Sequence, residues 1–334
     1  MEKIETLSSL YFSDRIDFLD LLKGFAILWI VWYNQPHPGI IDHYYHVPIF
    51  FFISGIFFKQ KPPKQFFRSI FYRIIIPFIF FYFVSFIFQI ARFCFENHAI
   101  NGFEWTCIFD IFRIESYIDH ITINRPLWFL IALIIIQSMY YIIGRLPKWF
   151  ILSICIIIIL FKNQICSLQT PLLINQSVFW MSYFALGDIV GKWLISITIF
   201  ERKWKVVLAI VCISLFAILS FLIPHINNSL LYNTTYEISV ISFVILSVLF
   251  FSFIKGKGFT AQTFRFYGQN SLIVLGLHML ISIVYGGIFF RLFGITGDNL
   301  IGFANFILTT ATLYPIILFL NKYLPLCVGK KKET

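Results

Sequence analysis

The chain has 334 residues, of which 59% are hydrophobic and 13% are charged. Soluble domains average about 45–50% apolar and about 25% charged residues, so this composition excludes a soluble protein and indicates a polytopic membrane protein. The net charge of +10 does not indicate nucleic-acid binding, because the cations fall mainly on alternate loops between apolar segments.

Ten apolar segments predict an all-α membrane fold with about ten transmembrane helices. With the N-terminus inside, all but five of the 26 Lys and Arg residues lie on the cytoplasmic side, so the positive-inside rule predicts that both termini are cytoplasmic. The chain is expected to form one transmembrane domain, 1–334, with an outer loop at about 92–126. The spans are predicted at about 18–35, 47–58, 71–91, 127–144, 149–162, 177–195, 204–223, 236–254, 270–290 and 300–321.

The first predicted span carries a cation near its start and an amide near its end. Lys23 and Asn34 are eleven residues apart, which is about three helical turns, so they share one helix face about 16 Å apart along the axis. Lys23 is either part of a polar site or a topology anchor whose ammonium reaches the membrane surface.

A twelve-residue apolar stretch, His46–Phe57, follows the first span. It is too short to cross about 30 Å of hydrocarbon as a straight helix, and such segments are tolerated where they pack in protein or line a cavity. The sequence therefore predicts a polar pocket here. His37, His43 and His46 crowd the connection before it. A histidine beside such a pocket is a candidate general base, and the alternatives are interfacial histidines without a role or a metal site that lacks further ligands.

The later chain offers further polar candidates. Arg68 and Arg73 belong to a basic loop that either binds phosphates or reflects membrane topology. His278 lies within a predicted span, where a histidine either faces a cavity or is a neutral, hydrogen-bonded packing residue. Asp188 is expected to pair with Lys192 four residues later. The basic C-terminal tail predicts contact with anionic membrane lipids.

Five segments, taken in order, resemble the acyltransferase family 3 membrane proteins, with the sugar O-acetylase branch as the nearest type. They are Asp20–Ile27, His46–Gly55, Arg73–Pro77, Pro126–Leu130 and Tyr267–Ser271 followed by His278. The resemblance implies an enzyme of the bacterial cytoplasmic membrane. Such an enzyme transfers an acetyl group from acetyl-CoA, its co-substrate, to a sugar hydroxyl of a cell-surface polysaccharide or lipid-linked glycan, without a metal.

The family pattern implies a role for each candidate residue. It has a basic residue, ten further residues and then a histidine, which correspond here to Lys23 and Asn34. Because an amide cannot take a proton from a hydroxyl at neutral pH, His46 is the preferred general base and His37 the second choice. Asn34 is then expected to stabilise an oxyanion, and His278 to orient the pocket. Lys23, Arg68 and Arg73 are the residues expected to hold the phosphates of acetyl-CoA.

Two other functions stay open at this point. The loss of the family histidine also fits a catalytically impaired homologue that acts in glycan assembly. A transporter or flippase for a lipid-linked sugar is the other alternative, although transporters more often show paired halves and this sequence shows no internal repeat. The acceptor sugar, the acyl chain and the oligomeric state are not identified by the sequence.

Overall fold

A computed structural model describes residues 17–35, 45–115, 121–200, 202–254, 258–294 and 299–330. The described chain is almost entirely helical. Its α-helices, in chain order, are α1 (Asp17–Tyr33), α2 (His46–Ile56), α3 (Pro63–Ile70), α4 (Ile76–Asn97), α5 (Trp128–Ile143), α6 (Lys148–Leu160), α7 (Lys162–Cys166), α8 (Ile174–Leu186), α9 (Lys192–Phe200), α10 (Arg202–Leu222), α11 (Ser229–Phe253), α12 (Phe259–Gln269), α13 (Ser271–Phe293) and α14 (Asn299–Tyr323).

Shorter elements join these helices. Two π-helical turns, Phe71–Ile75 and Gly187–Gly191, lie between α3 and α4 and between α8 and α9. The 3₁₀ segments are Trp105–Phe112, Arg125–Leu127, Ile223–His225 and Leu326–Val328. The strands β1 (Ile114–Glu115) and β2 (Thr170–Pro171) form one antiparallel pair.

The predicted all-α membrane fold is confirmed. Each of the ten predicted spans overlaps at least one helix, and seven helical segments in the described part of the chain are long and apolar enough to cross a membrane. Helices α2 and α6, with 11 and 13 residues, are shorter than the roughly 20 residues that a straight crossing needs. As its length predicted, α2 is packed inside the protein, with eight of its residues buried.

Two glycines bring α2 and α8 into backbone contact. A Cβ atom on Gly55 would lie 1.9 Å from the carbonyl oxygen of Phe184, and one on Gly187 would lie 1.9 Å from that of Phe52. Real side chains do not tolerate such distances, so both positions require glycine while the helices keep this spacing. Small residues at a crossing allow the close approach that stabilises helix pairs within a membrane.

A second glycine pair joins α1 to α12. A Cβ on Gly24 would meet the carbonyl oxygen of Phe264 at 1.7 Å, and one on Gly268 would meet that of Asp20 at 1.9 Å. Arg265 also donates to Asp17 through both Nε and Nη2. These contacts hold α12, and the start of α13 that follows it, against the first two turns of α1.

Two ion pairs join charged side chains that the helices cover in part or in full. Lys192 contacts Asp188 as the i,i+4 spacing predicted, and Tyr140 donates to the other carboxylate oxygen at 2.9 Å. On α11, Glu237 is 1% exposed and accepts from Lys162 at 2.5 Å and from Tyr183. Paired partners offset part of the cost of placing these charges in an apolar environment.

The outer loop predicted at about 92–126 is folded in its described parts. Its 3₁₀ segment is fixed through Asp110, which accepts from Thr122 at 2.5 Å and pairs with Arg113 at 2.9 Å. Nearby, buried Asn124 donates to Ser85 and to the carbonyl oxygen of Gly276, both at 2.8 Å. The residue that follows Asn124 is thereby held at a set position between α4 and α13.

Candidate active site

A cavity of about 580 Å³ lies inside the helical bundle. Its walls come from α1, α2, the segment that begins α5, α8 and the first turns of α13. Lining residues of α1 follow helical spacing, with Lys23, Ile27 and Ile30 on one face, and Asn34, which directly follows α1, continues it. The lining thus includes both Lys23 and Asn34, which their spacing predicted to share one helix face.

Helices α1 and α2 run in opposite directions along this cavity. The rings of Tyr33 and His46 lie 5.2 Å apart at one end, and the ammonium of Lys23 lies 5.0 Å from the ring of Phe57 at the other. The cavity therefore has a His46 end and a Lys23 end. From Lys23 to Asn34, α1 rises about 16 Å, so the two ends lie at different depths of the bundle.

The His46 end combines a buried imidazole with polar and aromatic groups. His46 is 3% exposed, and its ring lies 5.8 Å from that of Trp29. Arg125, in the 3₁₀ segment that precedes α5, and Gln176 of α8 line the cavity. The rings of Trp128 and Trp180, which also line it, lie 6.2 Å apart. This end holds a titratable nitrogen, a cation and flat aromatic faces of the kind that contact a sugar ring.

Asn34 is hydrogen-bonded to His278 where α1 meets α13. His278 is fully buried, and its Nδ1 donates to the carbonyl oxygen of Val274 at 2.9 Å. Its Nε2 is therefore the acceptor nitrogen, and it receives a hydrogen bond from Nδ2 of Asn34 at 3.3 Å. His278 does not itself line the cavity, and it contacts the cavity wall through Asn34.

The hydrogen bonds of Asn34 bear on its predicted role as an oxyanion stabiliser, which stays a prediction. A side-chain amide has two N–H donors, and Nδ2 of Asn34 donates to the carbonyl oxygen of Ile30 at 2.8 Å as well as to His278. Donation to an oxyanion would cost one of these bonds. Asn34 is thus held as part of the cavity wall, with its orientation set by His278.

The Lys23 end holds the cavity's second cation. Lys23 pairs with Asp20 at 3.6 Å, as their i,i+3 spacing predicted, and Gln269 of α12 donates to the same carboxylate at 3.4 Å. Ser54 and Ser271 line this end from α2 and α13. The lysine keeps a quarter of its side chain exposed, so its ammonium is accessible to an anionic group.

The other predicted site residues lie elsewhere. Arg68 and Arg73 are exposed residues of α3 and the π-helical turn and do not line the cavity. The guanidinium of Arg68 lies 5.8 Å from the ring of Tyr72. His37 and His43 fall outside the described residues. Across the described ranges, no group of three or more His, Cys, Asp and Glu side chains forms a metal site.

Several lining residues were not among the sequence-based candidates. Arg125, Gln176, Trp180 and Ser271 all line the cavity. Arg125 directly precedes Pro126–Leu130, one of the segments that carried the family resemblance, and Ser271 ends another. The resemblance was therefore a signal for these two residues, whereas Gln176 and Trp180 stand in an ordinary apolar helix that gave none.

Comparisons with known proteins identify the family. Searches of curated proteins and of solved structures found no match to this chain. A family model described as an acyltransferase domain matches residues 16–322, which includes every helix that lines the cavity. The chain belongs to acyltransferase family 3 and is an integral membrane acyltransferase.

Proposed function

We propose that the protein transfers an acetyl group from acetyl-CoA to a sugar hydroxyl of a cell-surface polysaccharide or lipid-linked glycan, in the bacterial cytoplasmic membrane. One observation carries this proposal. A single cavity joins a lysine at one depth of the bundle to a histidine at another. A donor that enters from one side and an acceptor from the other can react in such a cavity without either crossing the membrane.

His46 is the proposed general base. It takes the proton from the acceptor hydroxyl as the sugar oxygen attacks the carbonyl carbon of the thioester, which forms the new C–O bond. The C–S bond then breaks, and His46 returns the proton to the leaving sulfur, so coenzyme A departs as a thiol. Base help of this kind typically contributes about 10²–10⁴-fold to the rate. Its support is the position of His46 in the cavity wall.

The donor is proposed to enter at the Lys23 end. The phosphates of coenzyme A form charge-assisted hydrogen bonds with cations, and Lys23 is the cation that lines this end. Arg68 and Arg73 remain proposed contacts for the part of the donor outside the cavity. The acceptor is proposed to occupy the His46 end, between Arg125 and the tryptophans.

The two rival functions make different use of the same cavity. A transporter would move its substrate through the cavity, while an impaired homologue would bind glycan without transferring an acyl group. The family match supports acyl transfer. Asn34 stands where the family pattern has a histidine, and His46, which lines the cavity, is proposed to act as the base in its place.

The direct experiment measures base-labile acetyl groups by proton NMR in surface glycan from cells with and without the gene. We expect the acetyl signal to disappear with the gene and to return with the intact copy. Unchanged acetylation on an otherwise intact glycan would favour the impaired homologue. Accumulation of lipid-linked sugar on the cytoplasmic side would favour the transporter.

A further inference from the structure

The C-terminal segment folds back onto the start of α4 and reaches the turn between α12 and α13. After α14 the chain forms the 3₁₀ turn Leu326–Val328 and reverses at Gly329, whose φ of 75° is in the left-handed region that favours glycine. The backbone nitrogen of Lys330 then donates to the carbonyl oxygen of Pro325 at 2.9 Å. Val328 is 4% exposed, so the turn is packed against the bundle.

This turn places Lys330 at the start of α13. Nζ of Lys330 donates to Oδ1 of Asn270 at 2.7 Å, and Nδ2 of Asn321 donates to the same oxygen at 2.8 Å. Asn270 is itself fixed, because its Nδ2 donates to the carbonyl oxygen of Phe266 at 2.7 Å. The residues that follow Asn270, Ser271 and Leu272, line the cavity. A cation from the end of the chain is thus held beside the cavity wall.

The backbones at two other cationic residues, from distant parts of the sequence, lie near the same turn. A Cβ on Gly329 would lie 3.0 Å from the carbonyl oxygen of Arg73, so Lys330 follows a residue that touches the Arg73 backbone. A Cβ on Gly268, two residues before Asn270, would lie 2.7 Å from the backbone nitrogen of Gly24, which adjoins Lys23. Helix packing therefore brings the backbones that carry Lys23, Arg73 and Lys330 close to the turn between α12 and α13.

We propose that Lys330 is a phosphate-binding residue at the Lys23 end of the cavity, positioned by Asn270 and Asn321. A lysine ammonium is a compact cation that binds phosphate well. The ligand is the phosphate of the acyl-CoA donor, an assignment that rests on the proposed function, or the phosphate of an anionic lipid headgroup. The two sources share this chemistry and are separated by the experiment.

The experiment uses the full chain in nanodiscs of phosphatidylcholine, a lipid without net charge, and measures coenzyme A affinity by calorimetry. We expect Lys330→Gln to weaken the affinity about tenfold or more, because a hydrogen bond to a charged group is lost. Lys330→Arg should retain most of the affinity. Lys322→Gln is the matched control, since Lys322 is an exposed cation at the end of α14 whose ammonium lies 5.1 Å from the ring of Tyr323. It should bind as the wild type does.

A second arm tests the lipid. Native mass spectrometry measures how much phosphatidylglycerol the purified protein retains. If the lipid headgroup is the ligand, Lys330→Gln should retain less of this lipid, and its coenzyme A affinity should equal that of the wild type. The proposal is overturned if Lys330→Gln matches the wild type in both arms, or if Lys322→Gln produces the same loss. Unfolding temperatures of the variants should agree with the wild type, which excludes loss of folded protein.

Acetyl transfer, assayed separately, distinguishes this inference from the proposed function. If coenzyme A binding depends on Lys330 but no acetyl transfer is detected, the phosphate site is supported and the proposed reaction is contradicted. If acetyl transfer occurs with the same KM for acetyl-CoA in the wild type and in Lys330→Gln, and lipid retention is also unchanged, the reaction is supported and the phosphate site is contradicted.

Discussion

Nδ2 of Asn34 donates a hydrogen bond to Nε2 of His278 across 3.3 Å, where α1 meets α13. These residues are 244 positions apart in the chain. The bond occupies the acceptor nitrogen of His278 and fixes the amide that stands where the family pattern has a histidine. Among the described residues, His46 carries the only imidazole that lines the cavity.

Asn34→His tests whether the site has kept a base. If His46 already acts as the base, this substitution alone should change the rate of acetyl transfer by less than about tenfold, whereas in a His46→Gln background it should restore much of the lost rate. The introduced imidazole can donate to Nε2 of His278 in place of the amide. Initial rates with radiolabelled acetyl-CoA measure both effects. A gain of about 10²–10⁴-fold in the single variant would instead indicate that the natural protein lacks a working base.

The two ends of the cavity predict separate effects on the two substrates. Lys23→Gln should raise the KM for acetyl-CoA several-fold with little change in the KM for the acceptor. Arg125→Gln should raise the KM for the acceptor and spare that for acetyl-CoA. The assay uses membranes that contain each variant and glycan extracted from a deletion strain. If both variants raise the same KM, the donor and the acceptor do not enter from opposite ends.

The glycine contact between α2 and α8 predicts a large loss of stability from a small substitution. Gly55→Ala places a methyl group where the carbonyl oxygen of Phe184 lies 1.9 Å away, so the helices must separate at a cost of about 1–3 kcal/mol or more. Thermal unfolding in detergent measures this as a lower midpoint.

Gly287→Ala is the control for that substitution. Nothing lies within 4 Å of a Cβ at Gly287, and alanine at an open position within a helix is favoured by roughly 0.5–1 kcal/mol over glycine. The midpoint of thermal unfolding of Gly287→Ala should equal or exceed that of the wild type. Equal midpoints for Gly55→Ala and the wild type would mean that the helices are not in contact there.

The ion pair between Glu237 and Lys162 predicts a loss that a second substitution partly reverses. Removal of one partner of a buried pair costs about 3–5 kcal/mol. Because the Lys162 side chain is 25% exposed, the loss of stability caused by Glu237→Gln should lie at or below the lower end of that range. The double variant with Lys162→Met should unfold at a higher temperature than Glu237→Gln alone. Glu104→Gln, at an exposed carboxylate, is the matched control and should leave the midpoint unchanged.

The sequence predicted the helices well and the contacts within the site only in part. Long apolar runs determine where membrane helices form, and the short length of His46–Phe57 was enough to indicate a buried segment beside a pocket. The spacing of Lys23 and Asn34 also placed both on the cavity face of α1. Each of these inferences depends on residues that are neighbours in the chain.

Contacts between distant helices required the structure. The bond between Asn34 and His278, and that between Lys330 and Asn270, depend on how helices pack and on the direction in which the C-terminal turn runs. Residue type and local spacing carry no information on either. For the same reason Gln176 could not be distinguished from other polar residues at helix ends.

The most direct test compares His46→Gln with the wild type in a deletion strain. Proton NMR measures the initial rate at which base-labile acetyl groups appear on the surface glycan after expression is induced. Unfolding temperature and coenzyme A affinity of the purified variant serve as controls for folding and donor binding. We expect both controls to stay at the wild-type level while the initial acetylation rate falls by about 10²-fold or more. Acetylation at the wild-type rate in His46→Gln would contradict the assignment of His46 as the base.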